Sequence, residues 1–153
     1  MKNTNGRLEK EIQEMNKIKL KLATLPRVIQ TYYHHLEASD KTYATIKVYI
    51  NYVENFMNYC TNSMYDEYFY KNVTSATINE YMSSLRYKTD SNGNVIKVGN
   101  GIRATRWSAL NTFFIYLKLN QPQEAVEQYN FLYTQNLSSF DEYSNKILCN
   151  CFI

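Results

Sequence analysis

Turn-forming residues are scarce in this chain, with four Gly and two Pro among 153 residues. A β-sandwich or barrel needs a turn every few residues, so this shortage argues against one and favours helices. Cysteine is equally thin. Cys60, Cys149 and Cys151 do not make a disulfide framework, and none has a His or Cys partner at the spacing of a zinc site. The two histidines, His34 and His35, are accompanied by no Cys or carboxylate cluster, so a structural or surface role is expected rather than metal binding or catalysis. No apolar run approaches the roughly 20 residues that span a bilayer. The N-terminus is polar and charged, unlike a signal peptide. These absences predict a cytoplasmic protein without membrane contact. Paired carboxylates at a plausible site, a nucleophile–base pair, a metal set and a phosphate-binding glycine loop are all missing, so no enzyme class and no cofactor is indicated.

What is present is apolar, aromatic and unevenly charged. The length suits one domain with an appendage, and an apolar fraction of 44% is enough for a core. Fifteen tyrosines against seven Phe and one Trp read as half-buried rings with the hydroxyl at the rim, or as a wet contact surface. Up to Asn120, 16 Lys and Arg face 10 Asp and Glu, a charge of +6; beyond it one Lys faces four acids, a charge of −3. A basic body with an acidic tail points to a polyanionic partner for the body.

The richest stretch is 42–60. Ile46, Tyr49, Ile50, Val53, Phe56, Met57 and Cys60 recur at helical spacing and predict one face set into a core. The opposite face carries Ala44, Lys47, Asn51, Glu54 and Asn58. Before it, residues 7–23 are charged with a thin stripe of Leu8, Ile12, Met15 and Leu22, read as a solvated or partner-packed leading helix rather than a core element. Leu25-Pro26 marks a boundary, and Pro26 suits the first turn of a helix whose apolar face is Val28, Ile29, Tyr32, Tyr33 and Leu36. After an aromatic connection at 64–72, Thr74 or Ser75 caps a helix with Ile78, Tyr81, Met82 and Leu85 on one face. Residues 88–101 hold three of the four glycines and the turn signal Ser91-Asn92-Gly93-Asn94, read as a mobile loop or a small β-hairpin. The stretch 102–120 is helical, with Trp107, Leu110, Phe113, Phe114 and Leu117 inward and Thr105, Ser108, Asn111 and Thr112 outward. Arg103 and Arg106 fall on the apolar side of its start and are expected to project past the core edge on their stems.

Three segments together resemble a known family. Thr42-x-x-Thr45-Ile46-x-x-Tyr49-x-x-x-Val53-x-x-Phe56 is similar to the opening signature of the core-binding, SAM-like domain of phage integrases and other tyrosine recombinases. Val73-Thr74-x-x-x-Ile78-x-x-Tyr81-Met82-x-x-Leu85 and Ser108-Ala109-Leu110-Asn111-x-Phe113-Phe114-x-Tyr116-Leu117 resemble its later helices, in order and spacing. The resemblance covers about residues 25–120. It implies an all-α fold, a SAM-like orthogonal bundle of four core helices, with an extra N-terminal helix and a helical C-terminal tail. The corresponding segments are a leading helix at 1–24, a DNA-binding domain at 25–120 and an acidic appendage at 121–153.

The resemblance also implies a function. In that family the domain forms half of a clamp around the recombination core site, with two helices approaching adjacent major grooves. Carried over, the DNA-binding residues are Thr42, Thr45, Lys47 and Asn51 on one helix, and Arg103, Thr105, Arg106 and Asn111 on the other. Lys and Arg attract phosphate, while hydroxyls and backbone amides fix register. The partner is double-stranded DNA, with self-association or a recombinase catalytic domain in addition. Catalysis is not expected, because the family needs His-x-x-Arg and a cage of positive groups around the phosphodiester. Here His34 is followed at that spacing by Glu37 and His35 by Ala38, and no Arg follows Arg106. The expectation is a fragment, a truncated product or a free-standing core-binding domain. The alternative is a helical protein-interaction or oligomerisation module that does not bind DNA.

Overall fold

A computed structural model describes residues 4–120. The expected acidic appendage and helical tail at 121–153 lie outside the described residues. The described chain is all-α apart from one small hairpin. In order it runs α1 (Thr4–Leu22), α2 (Arg27–Glu37), α3 (Tyr43–Thr61), a 3-10 turn (Phe69–Asn72), α4 (Ser75–Ser84), β1 (Tyr87–Thr89), β2 (Val95–Lys97) and α5 (Asn100–Asn120). No described helix is long and apolar enough to cross a membrane. The chain divides into two compact units, Met1–Phe69 and Tyr70–Ile153.

In the first unit α3 contacts both α1 and α2. Thr42 caps it, its hydroxyl accepting the Thr45 N–H, which satisfies one of the amides a helix start leaves open. The helix stops at Asn62, which takes a left-handed conformation that Asn tolerates better than most residues. Ile46, Ile50, Val53, Phe56 and Met57 are buried as their spacing predicts. Tyr49 and Cys60 are only half-buried. The Cys60 thiol is pushed up to about 12 by desolvation, so it stays neutral and unreactive near pH 7. On α2, Val28, Ile29, Tyr32, Tyr33 and Leu36 are all buried. The helix begins after Pro26, and the Glu67 carboxylate, 40 residues on, accepts the Arg27 N–H at 2.9 Å.

The leading helix departs from its sequence reading. Its first half is solvated, with Leu8 61% and Ile12 44% exposed, but Ile18 and Leu22 near its end are only 2% and 6% exposed. Those two side chains place α1 in the core of the first unit. Ile18 was not on the expected stripe: among flanking lysines a single Ile carries little periodic signal, and only the neighbouring helix gives it a place to go.

In the second unit Thr74 and Thr77 form a reciprocal capping box at the start of α4. Ile78, Tyr81 and Met82 are buried, while Leu85 is half-buried beyond the helix end. Residues 87–97 form a hairpin rather than a mobile loop, paired Tyr87 with Lys97, Lys88 with Ile96 and Thr89 with Val95. Asp90 organises its turn. Its Oδ1 accepts the N–H groups of Asn92 and Asn94, each at 2.8 Å, and Gly93 sits at φ +83, where a side chain would be strained. On α5 the buried residues Trp107, Ala109, Leu110, Phe113, Phe114, Tyr116 and Leu117 occupy about half the helix circumference at 100° per residue.

Thr74→Ala should lower the unfolding free energy by about 1 kcal/mol, and Phe56→Ala by about 3–5 kcal/mol. Urea unfolding followed by far-ultraviolet circular dichroism measures both. Equal losses would contradict the assignment of Phe56 to the core and Thr74 to a surface cap.

Candidate nucleic-acid interface

The eight sequence-predicted contact residues fall in both units, four on α3 in the first and four on α5 in the second. On α3 they separate into two pairs. Thr42 and Thr45 sit at the helix start with their hydroxyl oxygens 3.1 Å apart. One hydroxyl donates to the other, so the pair offers a ligand one hydroxyl proton rather than two.

Lys47 and Asn51 are turned toward α1 rather than outward. The Lys47 ammonium donates to Glu14 Oε2 at 2.7 Å, and Lys21 donates to Asn51 Oδ1 at 2.6 Å and pairs with Glu54. Lys17, 3.3 Å from the other Glu14 oxygen, completes the group. Lys17, Ile18, Lys21, Lys47, Ile50 and Asn51 line a pocket of about 290 Å³. Three ammonium groups thus converge on one concavity, balanced by two carboxylates.

This arrangement corrects the expectation that Lys47, Asn51 and Glu54 form a free face opposite the core. The fully exposed side of α3 instead carries Ala44, Val48, Asn55 and Tyr59. Burial of Ile18 and Leu22 brings α1 alongside, and its Glu14 and Lys21 pair with the nearest polar groups of α3. Glu14 and Lys21 were missed from sequence because a helix full of charge reads as solvated, and their partners lie 30 or more positions away.

On α5 the four residues do not share a face. Arg103 and Arg106 lie on the buried half of the helix, are half-exposed, and have their Nε atoms enclosed by protein. Both side chains are thus partly enclosed, Nε included, at the start of the helix. Thr105 is on the opposite half and Asn111 at its edge, since residues two or five apart diverge by large angles on a helix. Thr105 donates its hydroxyl to Gly101 O at 2.9 Å, and Ser108 and Thr112 bond back along the helix in the same way. These hydroxyl protons are committed to the helix itself, which leaves Thr105 an acceptor and a poor phosphate donor. The helix starts at Asn100, two residues before the expected 102.

Charge is divided unequally along the chain. The first contains nine Lys and Arg and eight acids, a charge of +1; residues 70–120 contain seven Lys and Arg and two acids, a charge of +5. Up to Asn120 the positive balance therefore falls mostly on residues 70–120, and the acidic residues 121–153 bring the second unit as a whole to +2.

A separate polar cluster surrounds Glu37. It accepts from Tyr43 at 2.8 Å and Tyr33 at 3.3 Å, with His34 Nδ1 3.4 Å away. The Tyr43 bond holds its carboxyl below the usual value. Tyr33 is a buried ring whose hydroxyl reaches a rim acceptor, the arrangement expected for this tyrosine-rich chain, whereas Tyr65 and Tyr68 stand exposed at 67% and 56%. His34 and His35 are exposed. Among the described residues no group of three or more His, Cys, Asp and Glu is placed to hold a metal ion. No protein-family model, curated protein or solved structure matches this chain.

Glu14 is held below its ordinary value of 4.5 by the hydrogen bond from Lys47, then by that from Lys17. With the folded pKa depressed, the stabilisation is complete above the ordinary value and is lost as pH falls through the folded one. Carboxyl 13C NMR should show Glu14 titrating below 4.5, and Lys47→Met should move it back upward. An unchanged midpoint in that variant would remove the Lys47–Glu14 bond as the cause.

Proposed function

We propose that this chain is a DNA-binding helical module of the integrase core-binding type, which holds duplex DNA at a recombination core site in the cytoplasm and is not catalytic by itself. One observation supports the reading: the three segments that carry the resemblance fall largely on α3, α4 and α5. The signature hydroxyls Thr42 and Thr74 are the N-caps of α3 and α4. Of its apolar letters, Ile46, Val53, Phe56, Ile78, Tyr81, Met82, Leu110, Phe113, Phe114 and Leu117 are buried, and Tyr49 and Leu85 are half-buried. The +5 charge of residues 70–120 supplies the attraction that a polyanion needs. The guanidinium ends of Arg103 and Arg106 and the lysines around the α1–α3 pocket are the groups that meet phosphate. Phosphodiester cleavage falls to a separate catalytic domain, because the chain contains no His-x-x-Arg.

Affinity of this half-clamp alone is weak, in the range of about 10⁻⁴–10⁻⁶ M that sequence-independent phosphate contact gives at physiological salt. Fluorescence anisotropy with a labelled duplex should show binding that falls steeply with salt. Lys47→Ala combined with Arg106→Ala should flatten the log–log salt slope by about 2. No salt-sensitive binding at low ionic strength, or an unaltered slope in the double variant, contradicts the reading.

A second reading, a helical oligomerisation module, is favoured by the exposed Leu8 and Ile12, one turn apart on the solvated half of α1, and by Met64, 70% exposed, beside Tyr65. Light scattering coupled to size exclusion distinguishes the two. A dimer that dissociates on Leu8→Ser with Ile12→Ser supports oligomerisation, and a monomer across the micromolar range excludes it.

A further inference from the structure

We infer that the β1–β2 hairpin is a groove-reading arm, inserted tip-first into the major groove of B-form DNA with Lys88 and Lys97 against opposite phosphate walls. This inference rests on the DNA-binding reading and assigns the contact to an element that lies between the segments carrying the integrase resemblance.

The first observation is that the hairpin is ordered yet buries nothing. All six strand residues are exposed, including Tyr87 at 59% and Val95 at 72%. A two-stranded hairpin is marginal in water when no face is covered. This one is braced at both ends. At the tip Asp90 accepts from two backbone amides, and Asn94 Nδ2 lies 3.3 Å from its second oxygen. At the base the Val98 N–H donates to Arg86 O at 2.8 Å. Such bracing preserves the shape of an arm whose own core contributes nothing.

The second observation is the distribution of charge and apolar groups across the ribbon. Directly opposed residues share a face. One face therefore carries Tyr87, Lys97 and the Thr89–Val95 pair, and the other carries Lys88 and Ile96. Each face has one lysine beside an apolar group, a symmetry that suits two charged walls better than one apolar surface. Arg86 stands exposed at the base. Asp90 is the arm's one acid, and its carboxylate is engaged by the three turn donors.

Dimensions select the groove. A β-ribbon with side chains on both faces is about 10 Å thick, from the face-to-face spacing of packed sheets. The B-DNA major groove is about 12 Å wide and accepts it; the minor groove, at about 6 Å, does not. From base to tip the arm spans about five residues, roughly 16 Å at the rise of a strand, enough to reach base edges about 8.5 Å deep. The deep, narrow major groove of A-form RNA excludes the same ribbon. Because β2 leads through Val98 and Gly99 into α5, an inserted arm brings the start of α5, with Arg103 and Arg106, to the same stretch of backbone.

The test titrates the full chain, Lys88→Gln with Lys97→Gln, and Lys88→Arg with Lys97→Arg against a 20-base-pair duplex, as DNA and as RNA, over a range of salt. The glutamine pair should weaken DNA binding roughly 50-fold at about 0.1 M salt and flatten the salt slope by about 2. The arginine pair should restore both, and binding to duplex RNA should not respond to either pair. Unchanged DNA binding by the glutamine pair overturns the arm while leaving the DNA-binding reading intact. Equal losses on RNA and DNA overturn groove insertion, and absence of salt-dependent DNA binding by the unaltered chain overturns arm and reading together.

Discussion

Burial of the apolar face of α3 is the constraint on which the rest of the first unit depends. Each of Ile46, Ile50, Val53, Phe56 and Met57 is worth about 1.5–3 kcal/mol when removed from water, and no single neighbouring helix can cover all five. α2 covers part of that face with Ile29, Tyr32, Tyr33 and Leu36; Ile18 and Leu22 of α1 are buried alongside. The polar contacts follow from this packing. Once Ile18 and Leu22 are in place, Glu14 reaches Lys47 and Lys21 reaches Asn51 and Glu54, while Lys17 pairs with Glu14 along α1. Half-exposed ion pairs of this kind, near the surface, contribute on the order of 1 kcal/mol each. They are consequences of helix packing rather than its cause.

The second unit solves a different problem. Half the circumference of α5 is buried, so that helix is fixed by its core and has little freedom to turn a chosen polar face outward. Arg103 and Arg106 are half-exposed with their Nε atoms enclosed, whereas the short side chain of Thr105 bonds to its own backbone. Positive charge is then carried to the surface by the hairpin, which has no apolar face to hide. Residues 70–120 carry +5 against the +1 of the first unit, so most of the positive balance up to Asn120 lies there, whereas the resemblance assigned half of the expected contacts to α3.

Local chemistry was legible without the structure. Thr74 or Ser75 read as the cap of α4 because short hydroxyls before an apolar-periodic run satisfy open amides. The buried sets of α2 and α3 followed from the 3.6-residue period, since apolar residues on one stripe have only one way to leave water. Ser91-Asn92-Gly93 signalled a turn because Gly93 tolerates a positive φ. Whether that turn closed a hairpin or a loose loop was not legible: the strands are three residues long, and their order depends on Asp90 and on the bond from Val98 to Arg86.

The sequence by itself determined the helical class, the cap of α4, the apolar stripes and the overall positive balance up to Asn120, because each depends on residues within a few positions of one another. The tertiary structure decided which polar side chains remain available. Lys47 and Asn51 looked free on a helical wheel and are instead engaged by Glu14 and Lys21 from α1. Ile18 looked solvated among lysines and is in the core. The physical reason is range: backbone propensity and periodicity are local, whereas desolvation and pairing of a side chain depend on groups brought near it by packing across tens of residues.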